Sequence, residues 1–212
     1  MGRGRSASGG GRAGGGGGIS VKQKESLISA REEKPSEVDQ VLNVLRDIEK
    51  DYGLDIDVSD VQLVTMSGKR GQGVMAYYDS AGNLAVNQAY FDDKAMTQAY
   101  DNCVKNGFHP PRGDKTAMEA TVAHEMGHRL NHVAAGGSWG GLDQTARDIV
   151  FKASRAMGYS RMEQLQAKIS GYAEQNHAEA VAEAFSDVWC NGAGAKAESR
   201  AVVAELNKYF NK

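Results

Sequence analysis

Cysteine, proline, histidine and long apolar runs are scarce in this chain of 212 residues, and each scarcity excludes something. Two cysteines, Cys103 and Cys190, are too few for a disulfide framework and predict buried free thiols. No run of about 18 apolar residues exists, so no membrane-spanning helix is expected. The N-terminus is glycine-rich rather than apolar, which argues against a signal peptide. Charge of neither sign dominates. Lys+Arg number 25 and Asp+Glu 27, a net charge of −2, so neither nucleic acid nor a membrane surface is expected as a partner. Three prolines leave most of the chain free to form helices. Glycine is the exception, with ten in the first 18 residues beside three Arg and two Ser. So little apolar surface cannot offset the entropy of ordering, so residues 1–19 read as a disordered tail or linker. Residues 20–35 read as a charged connector, and 36–212 as one folded domain.

Of only five histidines, two fall in one pentad, His124-Glu125-Met126-Gly127-His128. This is His-Glu-x-x-His, the zinc signature of metallopeptidases. On a helix, residues four apart lie about 40° apart around the axis, so both imidazoles point one way. Two neutral imidazoles can hold one Zn²⁺ and leave positions for a further ligand and a water. Glu125 is placed to take a proton from that water. The helical context is good. Thr116-Ala-Met-Glu119 makes a capping box, Pro110 and Pro111 block a helix from upstream, and Gly136-Gly137 suits an end. Val122, Met126, Leu130 and Val133 share one face, and the histidines the opposite one. The spacing therefore predicts a helix that buries one side and offers the other to a cleft.

A catalytic site of this kind needs a third protein ligand. Downstream, 177–190 is a second helix pattern that Asn176 can cap. Val181, Phe185 and Val188 form its apolar stripe, while Glu179, Glu183 and Asp187 recur four apart on the other side. An acidic stripe is usually a solvated face, but this one lies in an Ala/Val/Phe/Trp-rich run, where a metal would explain carboxylates. Histidine ligands normally have their other ring nitrogen held by a carboxylate. Two divisions of labour fit: Glu179 on the metal with Glu183 behind a histidine, or Glu183 on the metal with Asp187 behind. His132 lies about 6 Å further along the helix axis. Asp143, His177 and His109 are weaker ligand candidates, the two histidines reading as solvent or loop residues.

The pattern Tyr172-x-x-x-Asn176-x-x-Glu179-x-x-x-Glu183-Ala-Phe resembles the metallopeptidase domain of anthrax lethal factor and of the related Pro-Pro endopeptidases. The resemblance covers roughly residues 60 to 190. It is specific at the two metal segments and loose between them. It implies His124, His128 and Glu179 as zinc ligands and Glu125 as the base. It implies Tyr172 as the hydroxyl over the reacting carbonyl and Glu183 as the carboxylate behind a histidine. The stretches Gly107-Phe-His109-Pro-Pro-Arg-Gly and Thr121-Val-Ala-His-Glu look like phage-encoded versions that often follow minor head proteins. With no signal peptide or membrane span expected, the expected location is cytoplasmic or virion-associated, including delivery with a phage particle. Toxin cassettes carry similar domains.

The remaining pattern predicts an α+β fold of the small zincin-like type, with a short mixed sheet, the His-Glu-x-x-His helix and a mainly helical C-terminal half. A helix starts at Ser36 and ends near Gly53. Strands are expected at Val61–Met66, Gly73–Ser80 and Asn83–Phe91, and helices over 93–106, 144–157, 161–173, 177–190 and 196–210. A peptide or protein substrate would add as a strand to a sheet edge, with Asn83–Phe91 or Gly73–Ser80 as candidates. The expected activity is zinc-dependent endopeptidase hydrolysis with one Zn²⁺. The competing expectation is a non-catalytic virion-associated domain in which zinc only holds helices together.

Overall fold

The structure is a computed structural model that describes residues 20–67, 73–79 and 81–211. The glycine-rich stretch 1–19 lies outside the described residues. The fold is α+β, mostly helical, with one small mixed sheet. The chain divides between Ala99 and Tyr100 into two compact units.

The first unit holds helix α1 (Pro35–Tyr52) and four strands, β1 (Ser20–Ser26), β2 (Val61–Ser67), β3 (Ala76–Tyr78) and β4 (Leu84–Asn87). Pro35 opens α1, where its missing N–H costs nothing, and Gly53 closes it in the left-handed region at φ 63°. Val38, Val41, Leu42, Leu45 and Ile48 are buried along one stripe, with Val44 beside them. The sheet runs β1-β2-β4-β3. β2 pairs antiparallel with β1 and parallel with β4, and β3 pairs antiparallel with β4. Asp79 ties the β3–β4 connection, accepting from the backbone N–H groups of Ala81 and Asn83 at 2.9 Å each.

Two expectations are corrected here. The charged connector 20–35 contains an edge strand, β1, followed by a 3-10 turn over Leu27–Arg31. Lys24 and Glu25 are exposed on that strand, as suits an edge that must not recruit another chain. Asn83–Phe91 does not supply an edge: β4 lies between β2 and β3, and all four of its residues are buried. The free edge near it is β3, within Gly73–Ser80.

Helix α2 (Asp93–Lys105) spans the division. The second unit then holds α3 (Ala117–Ala134), α4 (Leu142–Ala156), α5 (Met162–Ile169), α6 (His177–Asn191) and α7 (Ala197–Asn207). Among the described residues no helix is long and apolar enough to cross a membrane. The two thiols, expected to be buried, form no disulfide among the described residues and are half-buried.

α3 makes its most extensive helix contact with α6. The reason is Gly127, inside the pentad. A Cβ built there would stand 2.7 Å from the Ala182 Cα and 3.1 Å from the Phe185 Cβ. Only a missing side chain lets the two backbones approach this closely. One consequence departs from the sequence reading. The histidines lie deeper than a surface face would place them: from Ala117 to His128 every residue except Glu119 is buried, with His124 5% and His128 8% exposed, while Val133 of the supposed core face is exposed.

Gly127→Ala therefore overpacks a backbone contact that cannot yield by a rotamer change. It should lower unfolding free energy by about 1–3 kcal/mol or more, read from urea denaturation. An unchanged midpoint would contradict the close approach.

Candidate metal centre

Four short segments of the second unit meet at the pentad. α3 contributes His124, Glu125 and His128. Its start is set by the capping box: the Thr116 hydroxyl accepts from the Glu119 N–H at 3.1 Å, and the Glu119 carboxylate accepts from the Thr116 N–H at 2.8 Å. α6 contributes Glu179 and Glu183. Asn176 caps it, its side chain accepting from the Glu179 N–H at 2.9 Å. Glu179 thus sits in the first turn, where the helix dipole favours a carboxylate.

The other two segments are loops. α5 ends at Ile169, short of the expected 161–173, because the chain turns to pair with the loop before α3. The Gly171 N–H donates to the Gly107 carbonyl at 2.9 Å, and the Tyr172 N–H to the Phe108 carbonyl at 3.0 Å. Gly171 suits this: a Cβ there would stand 3.2 Å from the Gly107 oxygen. These two bonds bring Phe108 and His109 beside Tyr172. The rings of Phe108 and Tyr172 are 4.8 Å apart, and those of His109 and Tyr172 5.4 Å. The Tyr172 ring, buried, lies 5.7 Å from that of His124.

Two carboxylates flank His124 from opposite sides of its ring. Glu179 Oε2 lies 3.3 Å from His124 Nε2 and 3.2 Å from His128 Nε2. Glu183 Oε1 lies 2.7 Å from His124 Nδ1 and 2.8 Å from His109 Nδ1. Its other oxygen accepts from the Ser170 hydroxyl at 2.7 Å. Glu125 is buried, 2% exposed, and near enough to His124 for its charge to raise that imidazole.

His124, His128 and Glu179 form a buried group that can hold a metal ion, their donor atoms all within 4.8 Å of one another. The donors fit such an ion. Ligands about 2.05 Å from a tetrahedral Zn²⁺ stand about 3.3 Å apart, close to the two Glu179–imidazole distances. The alternative with Glu183 as ligand and Asp187 behind it finds no support in this geometry. Asp187 instead serves the turn after α6, accepting from the Lys196 N–H at 3.0 Å and the Asn191 side chain at 2.9 Å. Of the weaker candidates, His132 packs edge-on against Trp139, Asp143 is exposed at the start of α4, and His177 opens α6 half-buried.

His109 departs most from expectation. Read as a solvent or loop histidine, it is buried, stacked on Tyr100 with ring centres 5.3 Å apart and bonded to Glu183. No periodicity marks it, because a loop residue has none. The only hint is its place at Gly107-Phe-His-Pro-Pro, just before the capped helix.

Burial raises the Glu179 carboxyl, but His128 and His124 outweigh it and hold the group well below the usual carboxylate range. Glu183 likewise is pushed up by burial yet falls to about 2, chiefly through His109 and then His124. Burial lowers His109, but Glu183 and a hydrogen bond with the Cys103 side chain bring it up to about 9. His124 is also raised, its two glutamates overcoming burial.

No protein-family model, curated protein or solved structure matches this chain.

These shifts set the pH behaviour of the metal-free protein. The depressed Glu183 contributes stability that is complete above its usual 4.5 and lost as pH falls toward about 2. The raised His109 contributes stability that is complete below its usual 6.5 and lost as pH rises through about 9. Thermal unfolding of chelator-treated protein should therefore show its highest Tm between about pH 4.5 and 6.5. A Tm that climbs steadily from pH 6.5 to 9 would contradict these pairings.

Proposed function

We propose that this protein is a zinc-dependent metalloendopeptidase of the zincin type. The observation that supports this most is the convergence of two imidazole nitrogens on one buried carboxylate, with the pentad's own glutamate alongside. A His₂Glu donor set on an ion that prefers four ligands leaves one position for water or substrate, as in catalytic rather than closed structural sites. When bound, zinc supplies Lewis-acid polarisation of the scissile carbonyl and acidifies a water.

The chain's residues divide the rest of the work. His124, His128 and Glu179 would hold the ion. Glu125 accepts the proton of the attacking water and returns it to the leaving amine, as a general base and then a general acid. Tyr172 donates its hydroxyl to the developing oxyanion. Glu183 keeps His124 with Nε2 directed at the metal position. The pattern Tyr172-x-x-x-Asn176-x-x-Glu179 favours the lethal-factor and Pro-Pro endopeptidase group within this class.

The depth of the site favours one competitor, a domain in which zinc only holds α3 to α6. Glu125 separates the two readings. Glu125→Gln keeps shape and removes the base, so it should retain one zinc per chain and lose peptide hydrolysis by about 10²-fold or more. The assay is metal content by mass spectrometry beside cleavage of a peptide library. A zinc-loaded parent that cleaves no member of the library, but unfolds on chelation, would favour the structural domain. Hydrolysis at the parent rate by metal-loaded Glu125→Gln would reject the assigned base.

A further inference from the structure

We infer that His109 is a positioning residue for the metal centre: by holding Glu183 it fixes the imidazole of His124 in the orientation that aims Nε2 at the metal position. This deepens the proposed function and rests on it.

Glu183 is the joint between the two histidines. One of its oxygens, Oε1, is hydrogen-bonded to His109 Nδ1 at 2.8 Å and lies within ion-pair distance of His124 Nδ1, at 2.7 Å but out of hydrogen-bond alignment. Its second oxygen receives the Ser170 hydroxyl at 2.7 Å. A carboxylate on a helix has three side-chain torsions and reaches one geometry only if its partners are themselves fixed. Ser170 is fixed, since its oxygen also accepts from the Ala173 N–H at 3.0 Å. His109 is fixed on every side. It stacks on Tyr100 with planes 8° apart, meets Phe108 and Tyr172 edge-on, and bonds the Cys103 side chain. Tyr100 is itself held, its hydroxyl donating to the Pro110 carbonyl at 3.2 Å. His109 is thus a rigid donor aimed at Glu183. It stands 6.0 Å ring to ring from His124 and outside the donor group itself.

The chemistry of this arrangement is specific. A histidine that binds metal through Nε2 must carry its proton on Nδ1, and a carboxylate there selects that tautomer. A carboxylate released from His109 can swing about its end torsion and leave Nδ1 less well held. The cost falls on metal affinity as well as on the metal-free fold: an aromatic ring can keep the packing at position 109, but it leaves the buried Glu183 carboxylate one partner short.

Two variants test this. His109→Phe keeps the stack on Tyr100 and loses the donor. His109→Asn loses the stack and places an amide N–H near the position of Nδ1. Zinc affinity is measured by competition with a chromophoric chelator, and the donor geometry by the visible d–d absorption of the cobalt-substituted protein. His109→Phe should weaken zinc binding about 10- to 100-fold and alter the cobalt spectrum, and should lower the metal-free Tm because Glu183 loses a buried partner. His109→Asn should recover at least half of that loss on a logarithmic scale. Parent-like affinity and spectrum in His109→Phe would overturn the assignment, as would an Asn variant no better than Phe. A parent chain that takes up neither zinc nor cobalt would instead overturn the metal centre, and this inference with it.

Discussion

Burying a carboxylate is tolerable only when a positive partner is buried with it, and the second unit is arranged around two such carboxylates. Glu179 and Glu183 are 2% and 1% exposed, one turn apart on α6, and His124 of α3 lies between them. Removing an ion from water costs several kcal/mol even in a relaxed protein interior. The cost is met here by imidazoles on both carboxylates, by the Ser170 hydroxyl and by His109. Much of the local architecture follows from supplying those partners. α3 must approach α6 closely enough for imidazoles to reach across, which Gly127 permits. The chain must turn out of helix at Ser170 to bring its hydroxyl under Glu183. The loop 107–109 must lie against 171–172, which two backbone hydrogen bonds secure.

On the proposed reading, the same arrangement separates holding a metal from orienting its ligands. Glu179 faces the Nε2 atoms of both histidines, where a cation would relieve three electron-rich donors at once. Glu183 faces only Nδ1 atoms, where a proton is wanted. Two glutamates of the same helix thus meet different nitrogens, Glu179 the Nε2 atoms and Glu183 the Nδ1 atoms. The spacing of four residues that put them on one face could not assign these roles.

Much of the site was legible because its signals are local. The pentad, the Thr116–Glu119 capping box, the Asn176 cap and the Glu179-x-x-x-Glu183 stripe all depend on neighbours within about one turn. The helical second unit was readable for the same reason. What escaped depends on distant partners. His109 acquires its role from a residue 74 positions away. The strand Ser20–Ser26 shows no apolar alternation: Lys24 and Glu25 are exposed on a sheet edge, and the strand's place is set by its pairing with β2. Whether β4 or β3 forms an edge depends on a parallel pairing with β2 that no hairpin signal announces. The depth of the histidines was not legible because Gly127 read as one residue of a motif rather than as a contact surface.

The central claim is that one divalent ion sits among His124, His128 and Glu179. Anomalous diffraction at the zinc edge from a zinc-soaked crystal tests it most directly. A single peak about 2.0–2.2 Å from His124 Nε2, His128 Nε2 and a Glu179 oxygen is the predicted result. A peak coordinated by Glu183 in place of Glu179, or no peak at this cluster, would contradict it.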